Sequence, residues 1–295
     1  MTTSFAEGRW RQVGECLLLP ALAASLPWRI AWPLLRALAR RGFLFGEVAA
    51  RAAEAAARRG YAKDPAAWAC SHRLMRIVDQ VDPAISSSRS DRWMASHLTV
   101  DGDPLPPGPC ILVGFHYGAG FWSLRHLRRS GHRVSFLSRA IDASLAPGQP
   151  LRLAFMHWRM RQVEKAGGAP VIYVGGSVDR MRAALREGIS VLGMVDVPEP
   201  TSTKRAEVPF LGAMARFPDG LLRLAASEKV PLVAYLARLD PQSGCRRLTL
   251  ARLPLGDEAP MRSLAAQLER AIRDEPWGWH LWEQWPLFIE TPPAR

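Results

Sequence analysis

A histidine that ends a buried strand and is followed at once by glycines can serve as a proton-transfer group. His116 stands in such a stretch, GFHYGAGFW from Gly114 to Trp122. An imidazole with an unperturbed pKa of about 6.5 can take a proton from a hydroxyl near neutral pH. Gly118 and Gly120 would let backbone amides approach a substrate oxygen and hold a developing oxyanion near a helix start. The same pattern fits a buried histidine bonded to a carbonyl. Two other strand ends turn polar as abruptly, Ser138 into Arg139 and Val195 into Asp196. If the strands are parallel, all three side chains emerge on one rim, where open α/β sheets bind their ligands.

The elements that must do this positioning are legible as an alternation. Apolar runs at 110–115 (CILVGF), 133–138 (RVSFLS), 171–174 (VIYV), 190–195 (SVLGMV), 231–237 (PLVAYLA) and 247–253 (RLTLARL) read as strands. Amphipathic stretches near 119–129, 151–166, 177–186, 218–228 and 260–273 read as helices. This rhythm predicts an α/β fold with a mostly parallel sheet flanked by helices. Residues 46–98 read as helices, with Asp64 as an N-cap before Pro65, and the break DGDPLPPGP at 101–109 marks a boundary. The expected organisation is an N-terminal membrane-associated helical layer over 1–100 and an α/β core over 101–295. The uncharged run CLLLPALAASLPW, 16–28, is too short to span a bilayer and lacks the basic start of a secretory signal. Beyond it Trp28, Trp32, Leu35 and Phe43 mingle with Arg29, Arg36, Arg40 and Arg41. That mixture suits an amphipathic segment in an anionic interface, and equally a helical hairpin packed on the protein's own core.

Composition narrows the classes. A chain of 295 residues, 48% hydrophobic and 22% charged, is neither disordered nor collagenous. Its formal charge of +12 points to an acidic partner: anionic lipid, an acidic carrier protein or nucleic acid. Only four of the cations are lysines (Lys63, Lys165, Lys204, Lys229), and a GC-rich genome gives the same arginine excess. No nucleic-acid recognition motif or stacking platform is present, so no nucleic-acid partner is expected. Cys16, Cys70, Cys110 and Cys245 are single and widely spaced, unlike a zinc site or a disulfide framework. No metal motif, nucleophile elbow or nucleotide-binding P-loop appears, although Gly175-Gly176-Ser177 opens a helix.

With these stretches in view, the chain resembles the late acyltransferases of lipid A biosynthesis, the lauroyl and myristoyl transferase group within the lysophospholipid acyltransferase superfamily. In that family a strand leads into H-F-G-N-W-E, a local form of H-x4-D/E in which His is the base and the acid supports it. Here the corresponding residues are His116-Tyr117-Gly118-Ala119-Gly120-Phe121, with phenylalanine in the acid's place. REGISVLGMVDV corresponds to a strand ending in Asp-Gln, with Asp196 at the Asp; VPFLG (208–212) and EPWGWHLWEQW (275–285) resemble two further blocks. The resemblance covers most of the chain and is that of a divergent member. It implies acyl transfer from an acyl carrier protein or coenzyme A thioester to a hydroxyl or amine, with His116 as base and no cofactor. It also implies the cytoplasmic face of a bacterial inner membrane. Asp196 is the candidate replacement acid, ahead of Glu199, Asp179 and Asp219. Arg139 corresponds to a basic residue that meets acceptor phosphate or carrier, or is a solvated arginine. Lys204 and Arg205 could meet a phosphopantetheine phosphate, and Arg216 could line the same groove. Phe121 and Trp122 offer an acyl-chain wall or the buried face of a helix. The altered motif implies a specialised lipid, pigment or secondary-metabolite pathway; the alternative is a non-catalytic membrane-bound protein that binds acyl groups or their carrier.

Overall fold

The computed structural model describes residues 10–197, 205–255 and 259–289. Its N-terminal layer contains a π-helical turn, Gly14–Leu18, then α1 (Leu19–Ser25), α2 (Trp28–Arg41), α3 (Gly46–Ala57), α4 (Pro65–Ser88) and α5 (Asp91–Ser96). The Asp64 carboxylate accepts from the amides of Ala66 and Ala67 at 3.0 Å, and Pro65, which has no amide to satisfy, occupies the first turn. After strand β1 (Leu98–Gly102) come β2 (Ile111–Gly114), α6 (Phe121–Arg129), β3 (Val134–Ser138), α7 (Pro150–Gly167) and β4 (Ile172–Tyr173). Then follow α8 (Ser177–Arg186), β5 (Ser190–Met194), β6 (Arg205–Phe210), β7 (Ala213–Pro218), α9 (Gly220–Glu228), β8 (Leu232–Leu239), β9 (Arg246–Leu253), α10 (Ala259–Asp274) and a short α11 (Pro286–Ile289).

Seven strands form one sheet in the order β1-β9-β8-β2-β5-β3-β4. All neighbours pair in parallel except β8 and β9, so β9 and β1 run against the other five. The central pair is apolar throughout because helices cover both faces of the sheet: all of β2 is buried, and β5 is buried from Ser190 to Gly193. Two features depart from the sequence reading. Leu98–Gly102 is an edge strand, mostly exposed and therefore without an apolar pattern, and it crosses the expected boundary at 100/101. Residues 205–218 form an antiparallel hairpin, β6–β7, apart from the main sheet.

The N-terminal helices share a core with the sheet. Leu19, Trp32 and Leu35 belong to the same buried cluster as Leu112, Leu248 and Leu250. Trp28 and Trp32 stack with centroids 5.4 Å apart, and their indole N–H groups donate to the carbonyls of Ser243 and Gln242 in the β8–β9 turn. The outward side of the layer leaves Leu17, Leu18, Leu22, Ile30 and Phe43 exposed, beside exposed Arg29, Arg40 and Arg41. Both properties expected of this segment are thus present, on opposite faces. Among the described residues no helix is long and apolar enough to cross a membrane.

One ion pair lies wholly inside. Arg246 on β9 donates to Asp82 on α4 at 2.6 Å, with both side chains fully buried, and its guanidinium lies 3.9 Å from the centroid of the Trp122 ring. Burial outweighs Arg246's attraction and pushes the Asp82 carboxyl up to about 6. A buried pair stabilises little compared with apolar residues of equal volume, but removing one partner strands the other. Arg246→Met should therefore cost about 3–5 kcal/mol in urea unfolding. Adding Asp82→Leu should recover part of that loss; a double variant as unstable as the sum of the singles would contradict the pairing.

Candidate active site

The register of two parallel strands brings the site together. Gly114 of β2 lies opposite Met194 of β5, and the Val195 amide extends the ladder to the Gly114 carbonyl at 3.0 Å. Two residues beyond, His116 and Asp196 leave the carboxyl ends of the strands side by side. The Asp196 carboxylate is fully buried and accepts from the His116 amide at 2.9 Å, from His116 Nδ1 at 2.9 Å and from Trp279 Nε1 at 3.0 Å. A carboxylate can only accept here, so Nδ1 carries the hydrogen and Nε2 is left bare. Phe121 therefore stands where the resembling family has its acid, while Asp196 occupies the supporting position against the ring.

His116 is fixed through its backbone as well. Its carbonyl accepts from the His280 amide at 2.9 Å, and the Tyr117 amide folds back to the Phe115 carbonyl at 2.7 Å. Protein crowds the ring on most sides, yet 44% of the side-chain surface remains accessible. That combination marks the floor of a cleft. Burial alone would lower the His116 pKa, but the charge and hydrogen bonds of Asp196, helped by Asp79, overcome it and raise the pKa above the ordinary histidine value.

The walls of this cleft come largely from residues the sequence reading placed in a helical preface. His72, Arg76 and Asp79 stand at i, i+4 and i+7 on α4 and share one face. Arg159 of α7 donates to the Asp79 carboxylate at 2.7 Å and to its carbonyl at 2.6 Å. Burial opposes the Asp79 charge, but Arg159, His280 and Arg76 hold its carboxyl down to about 2. Arg76 Nη1 lies 3.2 Å from His280 Nδ1, and His280 Nε2 lies 2.9 Å from the Gly118 carbonyl. A guanidinium only donates and a carbonyl only accepts, so His280 carries its hydrogen on Nε2 and is neutral. Burial, aided by Arg76, pushes its pKa down to about 4. His72 donates from Nδ1 to the Trp277 carbonyl at 2.8 Å, and burial takes its pKa to about 3.

The glycines act differently from expectation. The Gly118 amide is consumed by the Gly278 carbonyl at 2.9 Å, so it cannot hold an oxyanion. Gly118 has φ +67°, and a Cβ there would fall 1.8 Å from the Ala237 carbonyl oxygen; one at Gly120 would fall 1.8 Å from the Tyr235 hydroxyl. Both glycines permit close approach to β8. The donors that remain are the Gly120 and Phe121 amides at the start of α6, which have no protein acceptor among the described residues.

The other sequence candidates are scattered. Phe121 is buried, with the Arg159 guanidinium 5.9 Å from its ring centroid. Trp122 lies wholly in the core, in edge-to-face contact with Trp28 and Trp93, and so takes the buried-face alternative. Arg139 is exposed at the end of β3, two strands from β2, and half-buried Arg205 opens β6. Arg216 of β7 pairs with Glu207 of β6 at 2.7 Å, which ties it to the hairpin. Lys204 and Glu199 lie outside the described residues. Sequence reading missed Trp279, His280, Arg76, Asp79 and Arg159; the spacing of HRLMRIVD offered a signal for the α4 residues, as a polar stripe in a helix otherwise rich in apolar positions. Among the described residues, no group of three or more His, Cys, Asp or Glu could hold a metal ion. No known family model matches this chain, and no curated protein matches it.

Because the folded pKa of His116 is raised, the pair stabilises the protein fully below about pH 6.5, and that contribution fades as pH rises through the folded value. Ring-carbon NMR titration should place His116 above the ordinary value in the wild type. In Asp196→Asn, burial acts unopposed by the carboxylate and the midpoint should drop below it. An unchanged midpoint would show that the contact does not govern the ring.

Proposed function

We propose that this chain is an acyltransferase of the lipid A late-acyltransferase type, moving a fatty or other long acyl group from a carrier-protein or coenzyme A thioester to a hydroxyl or amine. The reading is supported chiefly by His116, whose Nδ1 is held by Asp196 while Nε2 remains bare and solvent-reachable at the carboxyl end of a parallel sheet.

In this mechanism Nε2 takes the acceptor's proton as its oxygen or nitrogen attacks the thioester carbonyl. The new bond to carbon forms and the carbonyl electrons move onto oxygen, where the Gly120 and Phe121 amides can stabilise the charge. Collapse of the tetrahedral intermediate breaks the carbon–sulfur bond, and the imidazolium returns its proton to the departing sulfur. Asp196 stabilises the transient imidazolium and keeps the productive tautomer. The thioester supplies the activation, so the scheme needs no cofactor.

The exposed leucines and arginines of the N-terminal layer support a location on an anionic membrane surface, at the cytoplasmic face of the inner membrane. The replaced acid at Phe121 supports a specialised acceptor in a lipid, pigment or secondary-metabolite pathway.

With a long-chain thioester donor and a panel of hydroxyl and amine acceptors, His116→Ala should reduce turnover by at least about 100-fold and Asp196→Asn by a similar factor. The wild-type rate should climb with pH as His116 loses its proton, with a midpoint above the ordinary histidine value. Full activity in His116→Ala would end this mechanism. Donor binding without turnover by the wild type on any acceptor would favour the non-catalytic alternative.

A further inference from the structure

The guanidinium groups on the cleft wall are satisfied unequally. In a separate basic cavity of about 450 Å³, Arg125 donates to the Ser86 and Arg89 carbonyls, Arg128 to that of Lys165 and Arg129 to that of Asp91. Those arginines neutralise the carbonyl ends of helices and an adjacent turn, so their purpose is internal. The cleft beside His116 differs. Arg159 is held by Asp79, and Arg152 reaches Glu15 and Gln149 at 3.3 Å. Arg76 donates only to the neutral ring of His280 among the described residues. Three guanidinium groups therefore face two carboxylates, Asp79 and Glu15, and the excess positive charge sits with Arg76. Burial also lowers the Arg76 pKa, as expected of a cation lacking an adequate counter-charge. Arg76, Arg152, Arg159 and His280 all keep some accessible surface, so a ligand can reach them.

We propose that Arg76 binds a phosphate-ester group of the substrate, in a cationic subsite completed by Arg152 and Arg159 beside His116. This rests on the acyl-transfer reading and specifies its substrate as one carrying a phosphoryl group near the reacting atoms. The free donors of Arg76 form a fork suited to phosphoryl oxygens. His280 joins subsite to base: it accepts from Arg76, donates to Gly118 and binds the His116 carbonyl through its amide. The phosphate can come with the donor, on the pantetheine arm, or with the acceptor, on a glycerol phosphate headgroup.

The experiment is binding to the full chain by calorimetry and thermal shift, using 4′-phosphopantetheine and glycerol 3-phosphate, with pantetheine and glycerol as phosphate-free controls. One phosphate ester should bind saturably and raise the melting temperature while its control does not, and the tighter of the two identifies the source. Arg76→Gln should weaken binding by at least about tenfold, the loss of a charge-assisted hydrogen bond. Arg76→Lys, which keeps the charge, should fall between Arg76→Gln and wild type. His116→Ala should bind as the wild type does, so the subsite can be judged even if no turnover is found. Wild-type affinity in a folded Arg76→Gln, or phosphate esters binding no better than their controls, would overturn the proposal.

Discussion

A buried carboxylate needs donors, and the way Asp196 meets that need organises the site. Removed from water, an ionised carboxyl is tolerable only where hydrogen bonds replace its hydration. The donors here come from the His116 amide, the His116 ring and the Trp279 indole, contributed by the end of β2 and by the segment after α10. Satisfying the buried charge aligns the imidazole, selects its tautomer and draws the C-terminal segment over the sheet. The orientation of His116 is therefore a by-product of a constraint on Asp196.

The second electrostatic layer follows from α4. This helix carries its polar stripe inward, where His72, Arg76, Asp79 and Asp82 meet partners from α7, β9 and the C-terminal segment. Each buried group has a different neighbour, and their ionisations separate accordingly: two neutral histidines, one carboxyl near 2 and another near 6. Between about pH 6.5 and 4 the unfolded chain gains protons on His72 and His280 that the folded chain refuses, which destabilises the fold. Asp82 acts in the opposite sense over much of that range, since the folded chain protonates it first.

The sheet and its rim were readable because buried parallel strands are apolar throughout and leave the sheet on one side; β2 and β5 announce themselves, and His116 and Asp196 follow as neighbours. What escaped has physical reasons. A polar stripe at helical spacing reveals that α4 has two faces, but not that the charged one points inward. An edge strand such as β1 buries too little to show an alternating pattern. The Gly118 amide could be read as a free donor only until Gly278, far along the chain, claimed it. Trp279 and His280 sat among other aromatics in EPWGWHLWEQW, and nothing local distinguishes the indole that meets Asp196 from its neighbours.

The contribution of Trp279 and His280 has a consequence for how the protein comes into being. Translation delivers α4 first, then β2 and β5, and only much later the stretch that locks His116 and gives Asp196 its last donor. While the ribosome still holds that stretch, the strands can pair, but the imidazole lacks its clamp and the carboxylate one of its partners. Competence is conferred near the end of synthesis, so a nascent chain already touching the bilayer through its oily N-terminal face stays inert until its tail has emerged and closed the fold.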